Sequence, residues 1–170
     1  MATLSPIKEQ HRLRTLQRLA SLPRRKKIMH LDDIRSIGIV ARALSKEDLV
    51  TLSQFTRHMT NRGIKVTTIE LPADNATVLD HNGLPTTDFI AFFVKEHYDL
   101  LVNVTTADDP FGLYVTMRSK ALLRVAYDDT TQLPSPLVEQ CYDLFLRGRG
   151  PRVLAEYLTQ LLTYLTQIRK

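Results

Sequence analysis

The sequence has little cysteine and no long apolar run, and each shortage excludes a class of protein. Its one cysteine, Cys141, cannot form an intramolecular disulfide and has no Cys/His cluster around it, so we interpret it as a small buried apolar residue. No stretch approaches the roughly 18 apolar residues that span a bilayer. The N-terminus is charged but lacks the apolar core of a signal peptide. We therefore predict a soluble cytoplasmic protein, with a mitochondrial presequence as the alternative for this Arg-rich, acid-poor segment.

Catalytic and cofactor motifs are also missing. The sequence contains no GxxxxGK[ST] loop, and no GxGxxG follows the first predicted strand, because Gly38 lies inside that strand. The five histidines are scattered without metal-ligand spacing, and no Ser or Cys stands in a nucleophile elbow. These absences predict a non-enzymatic protein without a metal or an organic cofactor.

Positive charge is present, but it is confined to one end of the chain. The 170 residues carry a net charge of +5, which divides into +7 for residues 1–27 and −2 for residues 28–170. Residues 6–22 have the pattern of a helix, with Ser5 as its cap, Pro6 in its first turn and no further Gly or Pro before Pro23. One helix face is apolar and consists of Leu13, Leu16, Leu19 and Ala20. We predict a basic amphipathic arm over residues 1–27, followed by a single domain over residues 28–170.

The first half of that domain has the pattern of a β-α-β unit. Residues 34–40 are a short β-branched run, which favours a buried strand. Ser45 stands three residues before Asp48, a variant of the capping box that begins a helix. Gly63 is the expected helix end, and residues 65–71 form the second strand. This order predicts a right-handed crossover between parallel strands.

Further strands and helices alternate along the second half. Residues 98–104 have an almost continuous apolar middle, which indicates a strand that helices cover on both faces. Strands are expected at residues 121–126 and 140–146, and helices at residues 111–120 and from Pro151 onward. The alternation predicts an α/β fold, a three-layer Rossmann-like sandwich with a mostly parallel sheet.

Three stretches carry a resemblance to a known family. They are LDDIRSIGI at residues 31–39, RGIKV at residues 62–66 and YDLLVNV at residues 98–104. In this order, with a capped helix between the first two, they resemble an uncharacterised family of small Bacteroidota proteins. Members of that family are similar in length, begin with a Lys/Arg-rich helix and have no assigned activity. The resemblance implies the fold and no function.

A more local similarity runs from Tyr98 to Tyr127. There YDLLVNV, a helix and SKALLRVAY resemble the N-terminal Rossmann-like half of heptosyltransferase-type glycosyltransferases. Asn103 stands where that family has Asp, and Lys120 stands where it has Gly. The similarity implies a shared strand–helix–strand unit rather than transferase activity.

Two acidic pairs follow predicted strands, at the sheet edge where open α/β sheets bind ligands. They are Asp108 with Asp109, and Asp128 with Asp129. Carboxylates bind hard cations and act as acids or bases, so these four residues are candidate ligand contacts. We prefer a structural interpretation, in which the first pair caps the helix at residues 111–120 and the second pair lies in a solvated turn.

Arginines alternate with glycines just before the C-terminal helix. Arg147 and Arg149 lie in RGRGPR, which is not a Walker loop. Free backbone amides and guanidinium groups together suit a phosphate, whereas a flexible linker into the helix explains the same composition. We prefer the linker and keep both arginines as candidate phosphate contacts.

The basic arm has the clearest physical consequence, because a dense positive field attracts a polyanion. A surface-inserting helix usually carries Trp or Phe, and residues 1–27 contain neither, so RNA is favoured over a membrane. We predict that the protein binds RNA or a ribonucleoprotein, such as a ribosomal particle. The predicted phosphate contacts are Arg12, Arg14, Arg18, Arg24, Arg25, Lys26 and Lys27.

Two other functions remain open. The first is a small phosphorylated-ligand or nucleotide-sugar binding protein, a degenerate glycosyltransferase that uses the acidic pairs and the arginines near the C-terminal helix. The second is a protein-docking module or homodimer that uses the leucine face of residues 13–22. Exposure of that leucine face in the folded chain distinguishes the second function from the others.

Overall fold

A computed structural model describes residues 4–128, 135–148 and 153–169 and places five parallel strands in one sheet. The strands are β1 (Ser36–Arg42), β2 (Lys65–Leu71), β3 (His97–Asn103), β4 (Lys120–Asp128) and β5 (Leu144–Arg147). Their order across the sheet is β2-β1-β3-β4-β5, and every pairing is parallel. The predicted α/β class is confirmed, with a described sheet that is parallel throughout.

Helices cover both faces of this sheet. The described helices are α1 (Pro6–Ala20), α2 (Lys46–Asn61), α3 (Thr87–Val94), α4 (Pro110–Arg118), α5 (Pro136–Cys141) and α6 (Leu154–Gln167), with a 3₁₀ turn at Leu31–Asp33. One apolar cluster joins the sheet to α2 and α6, and a second joins it to α1, α3, α4 and α5. The predicted three-layer arrangement is therefore confirmed.

The β-α-β unit follows its sequence pattern closely. Ser45 caps α2 by accepting a hydrogen bond from the backbone N–H of Asp48, at 3.1 Å. The helix buries Leu52, Phe55 and Met59 against the sheet. Gly63 follows with a φ of 79°, a left-handed conformation that glycine adopts without strain. These local signals place β1 beside β2 in the sheet.

The fifth strand begins later than its sequence pattern predicts. Residues 140–146 were expected to be extended, but Gln140 and Cys141 complete α5, and β5 begins at Leu144. Ser135 caps this short helix through the backbone N–H of Val138, which favours helix over strand there. Cys141 is fully buried as expected, and burial raises the pKa of its thiol to about 12. The predicted helix start at Pro151 lies outside the described residues.

Helix α1 packs on the α/β body rather than projecting from it. Leu16 is 4% exposed, and Leu19 and Ala20 pack beside it on the cluster that contains α4 and α5. The leucine face is divided, because Leu13 and Leu22 remain 46% and 57% exposed. The arm therefore uses half of its apolar face within its own chain.

Candidate anion-binding site

Asp109 lies at the carboxyl edge of the sheet and has a structural role there. Asp109 caps α4 by accepting a hydrogen bond from the backbone N–H of Gly112, at 3.0 Å. Its other oxygen lies 2.5 Å from Nη1 of Arg42, which ends β1. The preferred interpretation of Asp109 as a helix cap is confirmed, and its neighbour Asp108 is exposed.

Asp128 is buried at the same edge, which corrects an expectation. A solvated turn was predicted, but β4 continues through Asp128 and pairs there with Arg147 of β5. Asp128 is only 4% exposed, and its carboxylate lies 3.3 Å from Nε of Arg147. The predicted turn is therefore wrong for Asp128. Asp129 and Arg149 lie outside the described residues.

A buried polar network holds the end of β3. Asn103 is fully buried and donates from Nδ2 to the Tyr142 hydroxyl at 2.5 Å. Its Oδ1 accepts hydrogen bonds from the backbone N–H and the hydroxyl of Thr105, at 2.9 and 2.6 Å. The Tyr157 hydroxyl donates to the Asn103 carbonyl at 3.0 Å. Burial raises the pKa of Tyr142 well above its usual value, so this network is neutral and structural.

A cavity of about 880 Å³ lies at the opposite edge, where β3 and β4 begin with His97 and Lys120. Its volume falls in the range of small-ligand sites, roughly 300–1,000 Å³. Leu19 and Leu22 form part of its wall, together with Met117 from the end of α4. Its basic lining residues are Arg24, Arg25, Lys26, Arg118, Lys120 and Arg124. The lining includes one carboxylate, that of Asp99.

Arg124 is the buried cation of this lining. It is 5% exposed, and its Nη2 donates to the backbone carbonyls of Ser119 at 3.1 Å and Met117 at 3.4 Å. Its Nε is buried and has no hydrogen-bond partner among the described residues. Burial, and then the nearby charge of Arg24, lower the pKa of Arg124 to about 10. The guanidinium group therefore keeps its positive charge at neutral pH.

Asp143 anchors the basic segment to the body beside the cavity. It forms an ion pair with Arg24, lies 3.7 Å from Nζ of Lys26, and accepts a hydrogen bond from the Arg124 backbone N–H at 2.9 Å. The backbone N–H of Lys27 donates to the Leu122 carbonyl of β4 at 2.9 Å. These contacts hold residues 24–27 against the amino-terminal edge of the sheet.

Positive charge exceeds negative charge around the cavity. Within the part of the chain that the structure describes, no carboxylate lies within 4.0 Å of the charged groups of Arg25, Arg118, Lys120 or Arg124. Arg118 contacts the Tyr114 ring and hydroxyl instead. The arrangement suits an anion, because guanidinium groups bind phosphate and carboxylate oxygens through paired donors.

Comparison with known proteins assigns the chain to a family. Residues 8–168 match a family of unknown function, DUF6913. The chain belongs to DUF6913. No curated protein matches it. A CheY-like response regulator receiver domain from Methylobacillus flagellatus is one similar solved structure, with a TM-score of 0.44, 12% identity, and coverage of 77% of this chain and 98% of that chain. The predicted membership in a family without an assigned activity is thus confirmed.

The predicted RNA contacts of this DUF6913 chain differ in their exposure. Arg12 and Arg24 are half-buried, and Arg24 already has a carboxylate partner. The others are exposed: Arg14, Arg18, Arg25, Lys26 and Lys27. Arg18 lies in the last turn of α1, directly before the residues that reach the cavity. The structure thus brings the end of the arm to the cavity, and it leaves Asp108, Asp109 and Asp128 at the other edge.

Sequence reasoning missed the body's contribution to this site. Arg118 ends α4, Lys120 begins β4 and Arg124 lies in the middle of β4, and the rule that ligands bind beyond the carboxyl ends of strands excludes that edge. One signal was available in the sequence. Arg124 interrupts the apolar run LLRVA of a predicted buried strand. A charged side chain is almost never fully buried unless it has a partner, so this position indicated a polar or charged contact.

The described residues contain neither a candidate metal site nor a candidate membrane-spanning helix. No group of three or more His, Cys, Asp or Glu side chains there is arranged to hold a metal ion. None of the helices in those ranges combines the length and apolarity needed to cross a membrane.

Proposed function

We propose that this DUF6913 protein is a non-enzymatic, cytoplasmic RNA-binding protein, with a ribonucleoprotein such as the ribosome as its partner. One observation carries the proposal. Two exposed cations of the arm, Arg25 and Lys26, line the same cavity as Arg118, Lys120 and Arg124 of the body, and among the described residues most of these charges have no carboxylate partner. Such a surface binds phosphates and releases counterions.

The packing of α1 supports this function by fixing where the charges stand. Leu16 is buried against the body, so the helix presents Arg14 and Arg18 to solvent at a defined place. Contacts of Arg24 and Lys27 with the body fix the segment after the helix. Positioned cations lose less side-chain and backbone entropy on binding than cations on a free tail.

The other functions have less support from the geometry. At the carboxyl edge, Asp109 and Asp128 already have the partners Arg42 and Arg147, which leaves less charge for a phosphorylated ligand or a nucleotide sugar. Leu16 is buried in the chain's own core, so the leucine face offers less apolar surface to a partner protein or to a second copy of the chain. RNA binding uses the charges that have no such internal role.

Neutralising the arm in the full-length chain tests the proposal. Deleting residues 1–27 would uncover the core around Leu16, so we suggest a substituted chain in which four exposed residues become Gln: Arg14, Arg18, Arg25 and Lys27. Binding to a single-stranded RNA is measured by fluorescence anisotropy over a range of salt concentrations. We expect weaker binding and a salt slope lower by about 3, since each single-strand phosphate contact contributes roughly 0.7.

A matched control separates a local effect from net charge. Four other exposed residues, away from the arm, become Gln: Lys46, Arg57, Lys95 and Arg169. Both variants lose four positive charges, but the control should keep the salt slope and most of the affinity. Equal losses in the two variants, or wild-type binding without a salt slope, would contradict the proposal.

A further inference from the structure

The cavity at the amino-terminal edge differs from the rest of the basic surface in depth. The arm offers exposed cations, whereas Arg124 is only 5% exposed and still lines a cavity of about 880 Å³. A flat basic surface is enough to contact the phosphates along an RNA strand. A buried cation that lines a cavity needs a separate explanation.

The described residues leave part of the hydrogen-bonding capacity of Arg124 unused. A buried guanidinium group is costly unless it is paired and hydrogen-bonded. The carbonyls of Met117 and Ser119 satisfy Nη2 only, and Nε is buried without a partner among the described residues. Asp143 is the nearby acid, but one of its oxygens pairs with Arg24 and the other accepts the Arg124 backbone N–H.

A second feature of the cavity indicates what kind of anion it takes. Arg118 and Lys120 add two cations without carboxylate partners among the described residues, while Leu19, Leu22 and Met117 supply an apolar wall. A phosphomonoester carries a charge of roughly −1.5 to −2 at neutral pH and has three free oxygens. An internal phosphodiester carries one charge and has a chain on both sides, so a strand end enters a cavity more readily than its middle.

The geometry points to a site for the terminal phosphate of an RNA strand, and this inference rests on the proposed RNA binding. The phosphate contacts Arg124, Arg118 and Lys120 in the cavity, and the first nucleotide packs on the apolar wall. The rest of the strand leaves along Arg25 and Lys26, which line the same cavity and are exposed. The body thus selects the strand end, and the arm binds the nucleotides next to it.

The test compares RNAs of one sequence that differ only at their ends. A fluorophore on an internal base reports binding of three strands to the full-length protein: one with a 5′-phosphate, one with a 3′-phosphate and one with hydroxyls at both ends. We expect one phosphorylated strand to bind at least about tenfold more tightly than the hydroxyl strand, the factor expected for one charge-assisted hydrogen bond.

The outcomes separate this inference from the proposed function. Equal affinity for all three strands, with binding that still depends on the arm, overturns the inference and leaves RNA binding intact. No binding to any strand overturns both. A nucleoside monophosphate is the fourth probe, and binding as tight as that of the phosphorylated strand would overturn RNA as the source of the phosphate.

Substitutions locate the preference within the cavity. Lys120→Gln changes an exposed lining residue, and Arg124→Gln changes the buried one. Circular dichroism checks that the Arg124→Gln variant is folded. Both should reduce the preference for the phosphorylated end. The matched control is Lys27→Gln, in the same basic region but not in the described cavity lining. This control should weaken the binding of all three RNA strands by the same factor. If the preference for the phosphorylated strand persists in Lys120→Gln and in a folded Arg124→Gln variant, the proposed site is overturned.

Discussion

The two edges of the sheet manage charge in opposite ways. At the carboxyl edge, Asp109 pairs with Arg42 and Asp128 pairs with Arg147, so these two acids have partners inside the chain. Around the cavity at the amino-terminal edge, Asp143 pairs with Arg24 and Lys26, while Arg118, Lys120 and Arg124 have no carboxylate within 4.0 Å among the described residues. Paired charges maintain the fold, whereas a surplus of one sign is available to a ligand.

The described cations without a carboxylate partner around the cavity thus lie away from the edge at which parallel sheets usually bind ligands. The rule rests on loops and helix N-termini that meet beyond the carboxyl ends of the strands. In this chain an additional N-terminal helix packs on α4 and α5, and the segment after it crosses the other edge. A feature outside the α/β repeat has created the cavity.

The largest expected effect comes from Asp143→Ala. This carboxylate is 11% exposed, and its loss leaves Arg24 and the Arg124 backbone N–H without their acceptor. We expect a loss of about 3 kcal/mol in the free energy of unfolding, as for other broken buried ion pairs, measured by urea denaturation.

A charge-matched control accompanies that measurement. Asp74→Ala removes the same charge from an exposed position and should change stability by less than about 0.5 kcal/mol. Similar losses for the two variants would mean that net charge, and not the anchor at the amino-terminal edge, stabilises the chain.

A smaller effect is expected from Gly112→Ala at the carboxyl edge. A methyl group there would overlap the Thr105 hydroxyl and come within 2.8 Å of Asn103 Nδ2. Overpacking of this kind costs about 2 kcal/mol, so thermal unfolding should occur at a lower temperature. RNA affinity below that temperature should not change. A lower RNA affinity of the folded variant would mean that RNA binds at the carboxyl edge, which contradicts the proposed site.

Gly63→Ala is the control for this glycine substitution. Gly63 has a φ of 79°, and a Cβ there meets nothing within 4 Å, so only backbone strain of about 1 kcal/mol is expected. A cost at Gly112 that does not exceed the cost at Gly63 would show that the polar network tolerates the added methyl group.

Local signals explain how much of the fold could be predicted. Ser45, Asp48 and Gly63 act within a few residues of one another, and the apolar run of β3 reports burial on both faces. The same reasoning failed at Cys141, because a six-residue helix buries Val138 and Cys141 as a strand would. Short apolar runs do not distinguish the two structures.

The site depends on contacts that are remote in the chain. The sequence indicates that residues 24–27 are basic, but Arg24 meets Asp143 across 119 positions. Arg124 is visible as a charge inside a strand, yet its place in a cavity, and an Nε without a partner among the described residues, depend on the packing of α1 and α4. The charges were predictable, and their combination was not.

The smallest expected effect compares two neighbouring acids at the carboxyl edge. Asp109→Ala removes a helix cap and the partner of Arg42, which should cost about 1 kcal/mol of stability, while Asp108→Ala, at an exposed position, should cost less than about 0.5 kcal/mol. Thermal unfolding is measured with and without Mg²⁺. Because Asp109 already accepts from Arg42 and Gly112, Mg²⁺ should not stabilise the native chain. A rise in melting temperature with Mg²⁺ that both substitutions abolish would instead make the acidic pair a cation site, and the two edges would then both bind ligands.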